Sequence, residues 1–402
     1  MTTDIIGMGA IACLGDEPRS IHRALCRAET GVGPLRAFDS SRYRVKNAYE
    51  IDDRTGPDGD RPDGGRPGRE EPIRDEPGRA TRWLRAVVAD ALADAGLTDP
   101  ASPDASAAAV ADIPVIVGTT LRELRSAELW WRDGTELEPA DLHFADAMRD
   151  AFGTTRTHTV ASACAASLYA LAMATDLIDL GLADTVVVAG SDSIAESSFG
   201  ALDRVQNPPP QSIRPFDRAR RGMVMGEGAA AVVLSRGGSH RQPARARVRG
   251  VAVNCDAAHP AVPDPEGVAA VVRDAHRRAA IAPDEIDLVV VHGSGTHHND
   301  LVESEVLGKV FGTSIPGPLV TSIKSGVGHT CGTSGLMSLV VAVLALQTGE
   351  LPPIGGLSDP MPEAGNLRLV ADGPALGSFS TAQIHAIGLG GINAVAVVGR
   401  AS

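Results

Sequence analysis

Short apolar runs alternate with longer Ala- and Leu-rich stretches along the chain, and the two kinds of run predict different elements. Residues 114–118, 185–189, 229–234, 288–292, 320–323 and 394–398 are brief β-branched and aliphatic runs that read as strands. Residues 79–95, 165–180, 265–280, 301–311 and 335–348 are long enough for several helical turns and read as helices. Alternating strands and helices predict α/β layering. The strands are continuously apolar rather than alternating, as in sheets covered on both faces.

Two segments share a plan. Residues 158–191 run turn, loop, apolar helix and strand; residues 320–349 run strand, glycine-rich loop and apolar helix. The pattern fits two related halves, 1–237 and 238–402, joined where Gly, Ser, Arg and Pro cluster at 236–245. It fits equally an α/β chain that repeats such units without duplication. Residues 53–78 hold almost no apolar side chain, so they cannot offset their ordering entropy and predict a mobile surface loop.

Composition narrows the classes. At 402 residues and 43% hydrophobic content, the chain can bury a large core and form more than one domain. A net charge of −13 lacks the basic face that nucleic acid or an anionic membrane requires. The apolar stretch 336–346 is about half a membrane span and reads as a buried helix. Residues 1–7 lack the basic-then-apolar layout of a signal peptide, and a cytoplasmic protein is expected. Cys13, Cys26, Cys164, Cys255 and Cys331 are scattered and without CxxC spacing, which favours free thiols over a disulfide framework or a zinc site.

Three residues carry candidate chemistry. Cys164 precedes the helix-forming run 165–171, so its thiol stands near a helix N-terminus, where the macrodipole favours thiolate and free N–H groups can hold an oxyanion. A buried structural cysteine is the other reading. His292 follows the apolar run 286–291 and opens a turn with Gly293 and Gly295; His329 closes a glycine-rich loop ahead of the last long helix. Lys324 lies between strand and loop, and if buried it needs a partner such as Glu303 or Asp300. His297 and His298 are adjacent but lack a third ligand at metal-site spacing, so surface residues are expected there and no metal.

In order along the chain, these residues resemble the β-ketoacyl-acyl carrier protein synthase (ketosynthase) family of the thiolase-like superfamily. The resemblance spans residues 4–10, Ser162-Ala163-Cys164-Ala165, Arg214-Pro215-Phe216-Asp217 with Gly226-Glu227-Gly228-Ala229, and Asp256 to His259 with 263–267. It continues through His292 to Thr296, Asn299-Asp300 and Glu303, then Ser322-Ile323-Lys324-Ser325 with Gly328-His329, and finally residues 388–394. It implies an α/β fold, a thiolase-like five-layer αβαβα sandwich of two similar halves. The implied reaction is decarboxylative Claisen condensation of a Cys-bound acyl group with malonyl-acyl carrier protein.

By the resemblance, Cys164 is the nucleophile, and His292 and His329 assist decarboxylation and hold the enolate. Lys324 and Glu303 frame the site, and the N–H groups of Cys164 and Leu389 form the oxyanion hole. Thr296, Thr330, Ala261 and Gly390 line the substrate path. The implied partners are acyl carrier protein and a second subunit, as a homodimer or a heterodimer. No cofactor is implied beyond the carrier's phosphopantetheine.

The chain also departs from the family pattern. Leu389 replaces a gating Phe, and His385-Ala386-Ile387 replaces an Asn-Ser-Phe-like run. Ala261 replaces a pantetheine-contacting Thr, Ser294 and His297 alter the histidine motif, and the stretch 117–159 is short. These differences favour a specialised polyketide or modified fatty-acid pathway. They also keep open an acyltransferase, cyclase or hydrolase that uses the same acyl-enzyme, and a non-catalytic heterodimer partner.

Overall fold

Eleven strands form one sheet in the computed structural model, which describes residues 2–52, 75–99, 108–312 and 316–401. Most of the segment expected to be a mobile loop, 53–74, lies outside the described residues. The strands are β1 (Thr3–Ala12), β2 (Val115–Gly118), β3 (Thr157–Val160), β4 (Thr185–Asp192), β5 (Gly228–Arg236), β6 (Ala246–Cys255), β7 (Leu288–Val290), β8 (Leu319–Thr321), β9 (Arg368–Leu369), β10 (Thr381–Gly388) and β11 (Ile392–Gly399).

From one outer edge the order is β3-β2-β4-β5-β1, and from the other β9-β8-β7-β10-β11-β6. Apart from β9, each half shows two parallel pairings followed by two antiparallel ones. The halves meet where Thr3–Ile5 pairs with Ala246–Val248.

Five helices complete the layers: α1 (Arg79–Asp94), α2 (Ala166–Asp179), α3 (Pro265–Ala279), α4 (His297–Phe311) and α5 (Ser334–Thr348). Helices α2 and α5 lie between the two halves of the sheet, in the largest apolar cluster. Helix α1 covers the outer face of the first half, and α3 with α4 covers that of the second. The result is the αβαβα sandwich. Helix α5 is apolar all round because both sheet halves press on it. Residues Cys331–Thr348 have the length and composition of a membrane span, yet 89% of that stretch is buried inside the protein.

The boundaries refine the sequence expectations. Helix α4 begins four residues early because the hydroxyl of Thr296 accepts the Asn299 N–H and caps it. Strands β7 and β8 end at Val290 and Thr321, so His292 stands in the loop beyond β7 and Lys324 opens the short helix Lys324–Val327.

Candidate active site

Cys164 sits in a 3-10 turn, Ala163–Ala165, directly ahead of α2. Ala163 has φ 47°, a left-handed conformation uncommon for a residue with a side chain, and this turn presents the thiol. The loop after β10 closes over it. A Cβ on Gly388 would lie 3.2 Å from that of Ala163 and 3.3 Å from the Cys164 nitrogen, so a side chain there would have to push the two segments slightly apart. Backbone N–H groups of Leu389 and Cys164 face the sulfur. Burial nevertheless lifts the thiol to about 11, against the opposing pull of Lys324 and those N–H groups. The thiolate expected from the helix terminus is therefore corrected to a neutral resting thiol.

His329 Nε2 lies 3.0 Å from the Cys164 sulfur. Its backbone is pinned on both sides: its N–H donates to Val224, and its carbonyl accepts from the Gly226 N–H. Gly328 before it has φ 75°, and a Cβ there would lie 2.6 Å from the Tyr49 ring. Burial, with Lys324 adding to it, pushes His329 down to about 3. The His292 ring meets His329 edge-on at 5.4 Å between centroids and 86° between planes. Burial holds His292 far below the usual imidazole range, and Lys324 and His329 reinforce it. Both imidazoles are thus neutral at physiological pH, able to donate one proton or accept one.

Glu303 on α4 anchors the His292 turn from below. Its Oε1 accepts the His292 N–H at 2.8 Å and meets His385 Nδ1 at 3.1 Å; its Oε2 accepts the Gly293 N–H at 2.7 Å and an Asn299 amide proton at 2.8 Å. Burial alone would raise this carboxyl, but the hydrogen bonds from His385 and the two N–H groups hold it below its ordinary value.

Lys324 makes no ion pair with Glu303 or Asp300, contrary to expectation. Its ammonium donates to the His292 carbonyl at 2.5 Å, and both Glu303 oxygens are already occupied by other donors. Burial lowers Lys324 to about 8, with the Glu303 charge resisting. Asp300 accepts from the Phe216 and Gly295 N–H groups at 2.9 and 3.1 Å, tying the 214–217 signature to the histidine turn. Burial raises Asp300 to about 7.

Leu389, Gly390 and Ala261 gather at the surface above the thiol. The Leu389 side chain is 52% exposed, and the Gly390 N–H donates to the Pro260 carbonyl at 2.8 Å. Thr296 is half-buried, with its hydroxyl 2.8 Å from that of Ser294. Thr330 does not join this rim. It is fully buried, with its methyl group against Gly228, because the turn after His329 dives into the core. Among the described residues no cluster of His, Cys, Asp and Glu is arranged to hold a metal ion, and His297 and His298 are exposed.

Sequence reasoning noticed His385 only as a departure and missed Gln383. Both stand in β10, whose polar residues hid it from a search for continuous apolar runs.

A cysteine in a turn with positive φ, set beside two neutral imidazoles in an α/β sandwich of two similarly paired halves, makes a thiolase-like site. The sequence comparisons agree. The model for the N-terminal domain of β-ketoacyl synthases matches residues 4–240 and that for the C-terminal domain residues 245–358. The chain belongs to the β-ketoacyl synthase family.

Among its relatives is nodulation protein E of Rhizobium leguminosarum bv. trifolii, 34% identical over 59% of each chain. The alignment therefore spans less than two thirds of that relative. The tetracenomycin polyketide synthase ketoacyl synthase alpha subunit of Streptomyces glaucescens is 30% identical over 98% of this chain and 96% of its own. Among solved structures, the ishigamide ketosynthase/chain length factor superposes with a TM-score of 0.84 at 26% identity, covering 100% of this chain and 99% of that one.

Proposed function

We propose that the chain is a ketosynthase that condenses an acyl group on Cys164 with malonyl carried on acyl carrier protein. The reading is carried by the 3.0 Å approach of His329 Nε2 to the Cys164 sulfur, with the neutral His292 ring set edge-on beside it. In the first half-reaction the sulfur attacks the acyl thioester carbonyl. The thiol proton passes by way of His329 to the departing pantetheine sulfur, and the acyl group becomes a Cys164 thioester. The N–H groups of Cys164 and Leu389 hold the tetrahedral oxyanion.

In the second half-reaction the bond between the malonyl α-carbon and its carboxylate breaks. Carbon dioxide leaves, and the electron pair becomes an enolate on the carrier thioester. Imidazole N–H groups of His292 and His329 stabilise the enolate oxygen, which they do best when uncharged beforehand and enclosed. The α-carbon then attacks the Cys164 thioester, a carbon–carbon bond forms, and the sulfur leaves as a thiolate that takes up a new proton from water. Lys324 fixes the His292 carbonyl and Glu303 its N–H, so the pair acts as a frame.

Substrates arrive on phosphopantetheine, and no other cofactor takes part. Thr296, Ala261 and Gly390 border the arm's path, while Thr330 supports it from beneath. Two similar proteins support a specialised polyketide setting and a dimeric partner of similar fold: the tetracenomycin polyketide synthase subunit, and the ishigamide ketosynthase with its chain length factor. We place the join between the halves at 237/238 and the enzyme in the cytoplasm.

The test is intact-mass analysis with acyl-carrier thioesters, followed by malonyl-carrier. An acyl adduct on wild type but not on Cys164→Ala, together with carbon dioxide release, supports the assignment. An adduct on Cys164→Ala would remove the nucleophile. An adduct without carbon dioxide release would turn the assignment to simple acyl transfer or hydrolysis.

A further inference from the structure

Strand β10 carries Gln383 and His385 on one face, while Ala382, Ile384 and Ala386 on the other pack into the central core. Both polar side chains are fully buried. The strand runs parallel beside β7 with Gln383 opposite Val289, which brings His385 alongside the turn bearing His292.

His385 Nε2 lies 2.6 Å from the Gln383 amide nitrogen, and the Gln383 amide oxygen meets Nε2 of His276 on α3. His385 Nδ1 meets the Glu303 oxygen that also accepts the His292 N–H. A chain of polar side chains therefore runs from the outer helical layer to the backbone beneath His292.

The donors and acceptors along this chain fix one proton arrangement. An amide nitrogen only donates, so His385 Nε2 accepts, and the ring's single proton sits on Nδ1, facing Glu303. Each Glu303 oxygen then receives two donors: His292 N–H and His385 on Oε1, Gly293 N–H and Asn299 on Oε2. A buried carboxylate that loses one of its donors pays a desolvation penalty and turns to recover it. The groups that would turn with Glu303 are the backbone N–H groups orienting His292.

We propose that His385 is a positioning residue. Its Nδ1–H holds the Glu303 carboxylate in the orientation that receives the His292 and Gly293 N–H groups, and so aims the His292 imidazole for decarboxylation. The proposal rests on the ketosynthase reading above for its catalytic consequence, but not for the positioning itself.

Two substitutions separate the contacts of the ring. The amide nitrogen of His385→Asn falls where Nδ1 stands and retains the Glu303 donor; in His385→Gln the amide oxygen can fall where Nε2 stands and accept from Gln383, leaving no donor toward Glu303. Three readouts are taken on the full chain: carbon dioxide release from malonyl-carrier, alkylation of Cys164 by iodoacetamide, and the His292 amide resonance in protein labelled with ¹⁵N-histidine. The chain has 11 histidines, so that resonance is assignable by its loss in His292→Ala.

His385→Gln is expected to lower carbon dioxide release about 10- to 100-fold, as removal of supporting partners typically does, and to shift the His292 amide while Cys164 alkylation persists. His385→Asn recovers both the rate and the resonance. A wild-type rate and an unmoved amide in His385→Gln would overturn the proposal. Equal loss of decarboxylation and alkylation in both variants would overturn it too, by making His385 a packing residue. If wild type releases no carbon dioxide, the ketosynthase reading fails, and the amide shift still decides the role of His385.

Discussion

The sulfur of Cys164 and Nε2 of His329 stand 3.0 Å apart as two uncharged groups, one lifted to about 11 and the other pushed to about 3 by the same burial. Such a pair stores no thiolate. In the proposed reaction the proton moves when an acyl carbonyl arrives to take up the charge and backbone N–H groups receive the oxyanion. His292 lies edge-on beyond His329, so the two imidazoles are expected to separate functionally.

Replacing His329 with Ala should slow formation of the acyl adduct on Cys164 by about 10²- to 10⁴-fold, the usual contribution of a positioned proton acceptor. His292→Ala should still form the adduct but release no carbon dioxide from malonyl-carrier. Intact mass and gas release measure the two steps independently. Equal loss of both steps in both variants would contradict separate roles.

Burial raises the Cys164 thiol from its ordinary 9.0 to about 11. The protonated form is the one the fold favours, so this contribution to stability is full below pH 9 and lost as pH rises through 11. Alkylation of Cys164 by iodoacetamide should therefore still be climbing at about pH 10, because the thiolate is the reacting form. A rate that levels off below about pH 8 would show a thiolate already present at rest.

Gly328→Ala places a methyl group 2.6 Å from the Tyr49 ring at a φ of 75°, one residue before His329. The expected cost is about 1–3 kcal/mol of stability from backbone strain alone, read as a lowered Tm. Acylation of Cys164 should fall as well, because relief of the clash moves the backbone that aims His329. A variant with unchanged Tm and unchanged acylation would show that the loop absorbs the methyl group freely.

Arg79 and Glu227 form a bidentate pair at 2.9 Å with both side chains buried, and Glu227 also accepts the Ile51 and Ile194 N–H groups. Arg79→Met removes this bidentate cation from a buried carboxylate and should cost about 3–5 kcal/mol by denaturant unfolding. Adding Glu227→Leu should not restore full stability, since two N–H groups would then lose their acceptor.

The α5 and α2 helices were legible because their apolar runs are long and uninterrupted, and Cys164 because small residues flank it at a helix start. Strand β10 was not. Its sequence interleaves Gln383 and His385 with Ala and Ile, and the buried polar face makes sense only once His276 and Glu303 are seen opposite. The pairing of Lys324 was misjudged for a related reason. A buried cation suggests a carboxylate partner, but here four other donors had already claimed Glu303.

The sequence by itself determined the alternation of strands and helices and the family, and it picked out Cys164, His292 and His329 as candidates, because each is written in local spacing or in an ordered set of short motifs. Only the tertiary structure decided the charge state of Cys164, the partner of Lys324, the burial of Thr330 and the chain from His276 to Glu303. Each of these depends on desolvation and on which donors converge from different strands and helices. Cys164 and His329, 165 positions apart in the sequence, meet at that site, and no local pattern specifies how many donors one carboxylate will receive.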